Sequence, residues 1–361
     1  MAEQARVPAL RRAALLLQRI SDADRPMSLA ELTQRTGLPK SSVMGICHAL
    51  TDEGLLARGV DGTYALGSRL YELASAARAH DLPIGDIGFS YPVGESFFVA
   101  EIDALRIEAD RLGARLHVHA AREDRRTQSR QIVEFVSAGV DLILVEPVAT
   151  DGLEDACAKA RAARIPVVAL GSAVSGADAV VATDNTKAGF LAGSALVATL
   201  GGRGRVAVVG GIAITANSDR IAGFMAAIAP HPRVEVVATS YGELDAKSGR
   251  RAATEILGAN PAVDGFFAAN DQIAIGISRV LRGRKLSVPI VGVDGARNAV
   301  DEIRAGGPIV ATATQDPAAL VRAAMDIGIA LHGGGPVVRP SRYLAPTLVD
   351  ARNAADYQPW G

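Results

Sequence analysis

The chain has 361 residues, 49% of them apolar, with a formal net charge of −1. This length favours two or three domains over one, and the near-neutral bulk charge predicts no nucleic-acid or membrane partner by itself, although Arg6, Arg11, Arg12, Arg35, Lys40, Arg58 and Arg69 could still cluster on one side. Cys47 and Cys157 lie far apart, which argues against a disulfide framework or a metal cluster and fits a reducing cytoplasm; no run of about 18 apolar residues suggests a membrane span, and the first twelve residues lack a signal peptide's apolar core.

The first helix is expected over 8–20, with Leu10, Ala13, Ala14, Leu17 and Ile20 on one face. A turn follows at 22–26. Ser28 and Glu31 form a capping box, so the second helix starts at Leu29. Gly37 ends it, because glycine accepts the left-handed conformation. Pro39 suits the first position of a third helix, which runs to about Thr51. Val43, Ile46, Cys47 and Leu50 recur at i, i+3, i+4, i+7 and form its buried face. Lys40, Ser41, Ser42, Met44, Gly45 and His48 face outward. Residues 55–58 and 63–66 flank Asp61-Gly62, a hairpin signal. A closing helix is expected over 67–80, and Asp81-Leu82-Pro83 breaks it. Helix, turn, helix and two-stranded wing make a winged helix-turn-helix. Its third helix, roughly 10–12 Å across with side chains, fits a major groove about 12 Å wide.

From Ile84 short apolar runs alternate with helical segments. Strands are expected at 87–90, 116–120, 142–145, 167–170, 206–209, 234–238, 265–268 and 290–293. Helices are expected at 95–112, 125–138, 153–163, 185–200, 218–228, 244–257, 272–281 and 296–304. This alternation argues a doubly wound parallel sheet. The stretch is long for one such sheet, so two lobes are expected, meeting near Asp184. There is no low-complexity tract and no short repeat.

In open α/β sheets ligands bind beyond the carboxyl ends of the strands. Asn270 and Asp271 follow one predicted strand, Asp294 another, and Gln315 follows IVATAT; Arg220 lies early in the helix after VAVVGG. Carboxylate, amide and guanidinium groups can each pair with sugar hydroxyls, and an aromatic ring suits a sugar's C–H face. Asn270 and Asp294 also fit helix caps or turns, and Phe97 and Phe98 also fit a core. Asp184-Asn185 reads as a helix cap. Gly201-Gly202-Arg203-Gly204 precedes a strand, where a phosphate cradle would follow one. Cys157 reads as a packed helix residue.

The stretches SLAELTQRTGLPKSSV, LTDEGLLAR and GTYALGSRLYELA resemble an IclR-family DNA-binding domain over residues 6–78. That resemblance implies base or backbone contacts from Lys40, Ser41, Ser42, Met44 and His48 and a wing contact from Arg58. Gly45 stands where such domains commonly carry a large polar group. Residues 84–350 resemble the ribose-type periplasmic sugar-binding proteins and the LacI-family effector domains. The matching stretches include IGFSYPVGESFFVAEI, AGVDLILVEPV, ATDNTKAGFLAG, FFAANDQIAIG and IVGVDG. This resemblance implies two αβα lobes joined by three crossovers, with ligand between them. It implies hydrogen bonds to a sugar from Arg220, Asn270, Asp294 and Gln315, with Phe97 and Phe98 covering its faces. Four positions depart from it. Gly171-Ser172 replaces an Asp-Arg pair, Glu95 an asparagine, and Leu244 an aromatic residue. Ribose is therefore disfavoured against another sugar, a polyol or a related metabolite. The candidate ligand set is Glu95, Phe97, Phe98, Ser172, Arg220, Asn270, Asp294 and Gln315.

The expected layout is a winged helix-turn-helix over 1–80, a linker over 81–86 and a two-lobed domain over 87–361. Lobe 1 spans about 87–184 plus part of the C-terminal region, and lobe 2 about 185–310. The expected function is that of a cytoplasmic, sugar-responsive transcription regulator, a repressor of carbohydrate uptake or catabolism genes. It would be a homodimer or tetramer on double-stranded operator DNA, with no membrane partner. Residues 78–86 would carry the coupling between effector and DNA. No nucleophile–base set, metal cluster or nucleotide loop is evident, so no enzyme activity, metal or cofactor is expected. The alternative is a solute receptor that acts through protein contacts without binding DNA.

Overall fold

The computed structural model describes residues 8–70 except 24 and 60, residue 73, residues 84–334 except 261, and residues 341–361. Most of the closing helix expected over 67–80 and the first half of the linker lie outside the described residues. The chain forms two compact units, Met1–Asp81 and Leu82–Gly361.

The first unit holds α1 (Pro8–Ser21), α2 (Leu29–Thr36), α3 (Lys40–Asp52), β1 (Leu56–Arg58) and β2 (Tyr64–Leu66). Both halves of the capping box are present. Ser28 Oγ accepts from the Glu31 N–H at 3.3 Å, and the Glu31 carboxylate accepts from the Ser28 N–H at 2.8 Å. That backbone N–H, with Arg25, pulls the half-buried Glu31 carboxyl down to about 2. Gly37 ends α2 in the left-handed conformation, φ 66°. Pro39 stands one residue earlier than expected, as the N-cap of α3. The packed stripe of α1 also differs from the expected one. Leu16 and Ile20 are buried with Ala13 and Leu17 beside them, whereas Leu10 is 68% exposed. The row 13, 16, 17, 20 follows the i, i+3, i+4, i+7 spacing; Leu10 and Ala14 fall off its edge. Met27, Leu32, Val43, Cys47, Leu50, Leu56 and Tyr64 complete this small core. The wing strands pair antiparallel, Leu56 opposite Leu66. Their loop closes through the Gly59 N–H donating to the Thr63 carbonyl at 2.8 Å. Within it the Asp61 carboxylate accepts from the Thr63 N–H, and Gly62 takes φ 78°.

In the second unit the chain first runs β3 (Asp86–Tyr91), α4 (Ser96–Leu112), β4 (Arg115–Ala120), α5 (Arg125–Ala138), β5 (Leu142–Val145), α6 (Glu154–Ala162), β6 (Val167–Leu170) and β7 (Ala179–Thr183). It continues through α7 (Asn185–Thr199), β8 (Gly204–Val209), α8 (Thr215–Ile228), β9 (Val234–Ser240), α9 (Ala246–Ala259), β10 (Gly265–Ala268), α10 (Asp271–Gly283), β11 (Ile290–Asp294), α11 (Arg297–Arg304) and β12 (Ile309–Thr314). It ends with α12 (Pro317–His332), β13 (Ser341–Leu344) and β14 (Leu348–Asp350).

Two six-stranded sheets result, ordered β4-β3-β5-β6-β7-β13 and β9-β8-β10-β11-β12-β14. All pairings in them are parallel except β12 with β14. The chain crosses between lobes three times, at Asp184, between β12 and α12, and between β13 and β14. The C-terminal region is therefore divided. α12 packs on α4 and the first sheet, and β13 extends that sheet; β14 closes the second. The inner strands are apolar on both faces because helices cover both sides. β5, β6 and β10 are buried at every residue.

Most helix starts are fixed by side-chain caps. Asp124, Asp184, Asp245, Asn270 and Asp316 each accept from the backbone of the adjoining first turn. The Asp245 cap moves the start of α9 from the expected 244 to Ala246. α8 begins at Thr215, three residues before the expected start.

Candidate functional site

In each sheet the strand order reverses next to the first strand of the lobe, between β3 and β5 and between β8 and β10. A crevice forms beyond the carboxyl ends of strands at such reversals. One narrow cavity lies there. Lobe 1 contributes Glu95, Phe97, Phe98, Glu146 and Gly171; lobe 2 contributes Ile214, Ala216, Asn217, Arg220, Leu244, Asn270, Asp294 and Gln315. Seven of the eight candidate ligand residues line it together. Ser172, the eighth, borders a neighbouring hollow, and its Oγ accepts from the Ala216 N–H at 3.2 Å, a bond between lobes.

The lobe 2 wall is a connected network. Arg220 is 6% exposed and sits on α8, aimed inward. Its Nε donates to Asn185 Oδ1 at 2.8 Å, and its Nη1 donates to the Ala269 carbonyl at 2.7 Å and reaches Asp294 Oδ1 at 3.5 Å. Gln315 Nε2 donates to the same carboxylate oxygen at 2.8 Å. Asp294 ends β11 with φ 142°, a conformation that L-residues rarely adopt, so the surroundings must hold it there. The Trp360 Nε1–H donates to the Asp294 carbonyl at 3.0 Å, and the Gln315 N–H donates to it at 2.8 Å. Burial pushes the Asp294 carboxyl up to about 6 against the pull of Arg220. Asn270 caps α10 through Oδ1, and its Nδ2 donates to the Leu244 carbonyl at 2.9 Å. Asp271 faces away from the cavity. It accepts from Thr312 Oγ1 and the Ala296 N–H and pins β11 to β12.

On lobe 1, Glu95 caps α4, accepting from the Phe97 N–H at 3.0 Å and from Ser96 Oγ at 2.7 Å. Phe97 and Phe98 meet edge to face with ring centroids 5.8 Å apart. Trp360 packs edge-on against Phe97 at 5.6 Å. Gln272 of lobe 2 donates to Ser96 Oγ at 2.9 Å, so the two lobes touch at the start of α4.

Sequence reasoning missed Asn185 as the second anchor of Arg220, and Glu146 as part of the wall. Glu146 follows β5 as Asn270 follows β10, so the strand-end rule that selected the one would have selected the other. It is 3% exposed, and burial, with the nearby Glu101 carboxyl, pushes it well above the usual carboxylate range. Gly171 takes φ 66°, and a Cβ there would collide with the Glu146 carboxylate. The position that would carry the first member of an Asp-Arg pair is thus filled from the neighbouring strand.

On the first unit, α3 buries Val43, Cys47 and Leu50. Lys40, Ser41, Met44, Gly45 and His48 are exposed on its other side and Ser42 is half-buried. A Cβ at Gly45 would meet nothing within 4 Å, so this face is open to a close surface. Arg58 is exposed on the wing, its guanidinium 5.9 Å from the Tyr64 ring centroid. Among the described residues no group of three His, Cys, Asp or Glu side chains is placed to hold a metal ion, and no helix is long and apolar enough to cross a membrane. Cys47 and Cys157 are both buried, and their thiols are pushed up to about 11.

A partnered polar wall facing aromatic rings, at the strand ends of two doubly wound sheets, defines a cleft protein of the two-lobed α/β class. The chain belongs to the family described as periplasmic binding protein domain, whose model matches residues 87–336, and it carries an IclR helix-turn-helix domain at residues 9–59. The ribose import binding protein of Haemophilus influenzae is 31% identical over 224 residues, 61% of this chain and 76% of that protein. The xylitol-binding protein of Mycolicibacterium smegmatis is 27% identical over 236 residues, 64% of this chain and 67% of that protein. A solved ABC transporter solute-binding protein from Mycobacterium smegmatis, with bound glycerol, is similar at TM-score 0.72 and 33% identity, covering 75% of this chain and 96% of its own.

Proposed function

We propose that this chain is a transcription regulator that binds double-stranded operator DNA through its first unit and a small carbohydrate or polyol between the lobes of its second. It acts as a repressor of carbohydrate uptake or catabolism genes, in the cytoplasm, without turning its effector over. The observation that carries the reading is the pairing, in one chain, of an IclR helix-turn-helix with a crevice walled by Arg220, Asn270, Asp294 and Gln315 opposite Phe97 and Phe98. Hydroxyl groups donate and accept, so a carboxylate, an amide and a guanidinium in one wall suit them. The similar proteins named for ribose and xylitol, and the one holding glycerol, support a small hydroxylated ligand. Gly171-Ser172 and Glu95 shift the choice away from ribose.

On DNA, α3 enters the major groove with Lys40, Ser41, Ser42, Met44 and His48 toward it, and Arg58 of the wing meets the backbone. A homodimer or tetramer places two such heads on a symmetric operator. The effector changes operator affinity only by binding the two DNA-affinity states unequally.

The test uses the full chain and the region upstream of its own gene. A thermal-shift screen against sugars and polyols identifies the effector, because a ligand at 100 times its Kd stabilises by about 2.7 kcal/mol. A footprint then gives a palindromic site whose protection weakens with effector. No specific retention at any salt concentration, together with sugar binding, would replace this reading with a receptor that acts through protein contacts.

A further inference from the structure

The crevice is unevenly charged. Its lining carries three carboxyl groups, Glu95, Glu146 and Asp294, against one guanidinium, Arg220. Two of the three carboxyls are committed. Glu95 caps α4 and accepts from Ser96. Asp294 accepts from Gln315 and meets Arg220. Glu146 is not. Its Oε2 is fully buried with no hydrogen-bond partner. The Gln128 amide, which reaches the Glu146 backbone, is spent elsewhere than on its carboxylate: Nε2 donates to the Glu146 main-chain carbonyl at 2.8 Å and to Ser90 Oγ, and Oε1 accepts from the Val148 N–H. Behind it, Glu101 of α4 is fully buried with both oxygens unpartnered. Lobe 1 supplies the cavity with no cation.

A buried carboxyl without a donor is costly, here with Arg220 as its one counter-charge against the neighbouring Glu101, and it persists where something else supplies the donor. The structure also makes room for it, since Gly171 is bare where a Cβ would displace the Glu146 carboxylate. One hydroxyl would satisfy one oxygen and leave the Glu146 and Glu101 carboxyls buried beside each other without a further positive charge. An ammonium group brings three donors and a positive charge.

We infer that the effector is a polyhydroxylated compound bearing a protonated amine, an amino sugar or amino polyol, with its nitrogen against Glu146 and its hydroxyls on the Arg220–Asp294–Gln315 wall. The inference rests on the crevice being the effector site. Glu146 faces Glu101 from α4 and Arg220 from α8, with Glu95 and Asp294 across the cavity. An ammonium there favours the ionised form, so its binding releases a proton from the pocket.

The test compares matched pairs on the full chain by calorimetry near neutral pH: serinol with glycerol, glucosamine with glucose, and 1-amino-1-deoxysorbitol with sorbitol. At least one amine should bind ten-fold or more tightly than its hydroxyl partner, and Glu146→Gln, neutral and of the same shape, should cancel that preference while its Tm stays at or above wild type. Calorimetry in buffers of different ionisation heat should register proton release for the amine alone. If the hydroxyl compounds bind as well as or better than the amines in every pair, or if Glu146→Gln keeps the preference, the amine assignment fails and the crevice stands. If no member of any pair binds, the amine assignment and the crevice reading fall together.

Discussion

The two walls of the crevice solve the same problem in opposite ways. On lobe 2 every polar group has a partner within the protein: Arg220 holds Asn185, Ala269 and Asp294, and Gln315 holds Asp294. On lobe 1 the Glu146 and Glu101 carboxyls sit buried with unpartnered oxygens. A satisfied network is rigid and preset for its ligand, whereas an unsatisfied one gains most when the ligand arrives. The difference separates the wall that positions the ligand from the wall that selects its charge.

Arg220→Ala should erase this contrast at the greatest cost. It leaves Asp294 buried without its counter-charge and frees the Asn185 and Ala269 acceptors. Removing one partner of a buried pair costs about 3–5 kcal/mol. Urea unfolding should register that loss in the second unit, and effector response should vanish while the helix-turn-helix unit still binds operator.

A smaller effect separates the two walls through pH. The Asp294 carboxyl, ordinarily at 3.8, is pushed up to about 6 by burial. The folded state therefore prefers it protonated, and stability is lost as pH rises from the ordinary value through the raised one. By linkage the loss is on the order of 2–3 kcal/mol. Glu101, Glu146 and Asp271, all raised by burial, act in the same direction. Unfolding free energies measured between about pH 4 and pH 7 should decline for the wild type, and Asp294→Asn should flatten the decline by roughly that amount. An unchanged slope in the variant would place the titration elsewhere.

The mildest perturbation is Gly171→Ala. The left-handed backbone costs an L-residue about 1–2 kcal/mol, and the new Cβ also pushes on Glu146. Combined with Glu146→Ala, the substitution should cost only the backbone share. Equal cost in both backgrounds would mean that the carboxylate moves aside freely.

Legibility differed between the parts of the molecule for physical reasons. The helix-turn-helix was readable because its signals are local: the Ser28–Glu31 box, Gly37 and the 43–46–47–50 stripe act within a few residues of one another. The stripe of α1 was right at Ala13, Leu17 and Ile20 and wrong at its edges, because the run Leu15-Leu16-Leu17 offers apolar groups on adjoining faces and packing against α2 and α3 chose the one with Leu16. In the crevice, Arg220, Asn270, Asp294 and Gln315 were legible from their places beyond the strand ends, whereas Glu95, Phe97 and Phe98 came from the resemblance to sugar-binding proteins; all seven line it. Ser172 lies just past a strand too, yet turns to bond Ala216 across the lobes.

Neighbours along the chain were enough to set the alternation of strands and helices, the caps that start the helices, and the polar residues at strand ends, because each of these depends on a few adjacent residues. Folding in three dimensions alone settled which C-terminal strand joins which sheet, that Trp360 reaches back 66 residues to hold the Asp294 carbonyl, and that Glu146 ends without a donor. Those outcomes depend on which groups meet across long stretches of chain, and on which of them water can no longer reach.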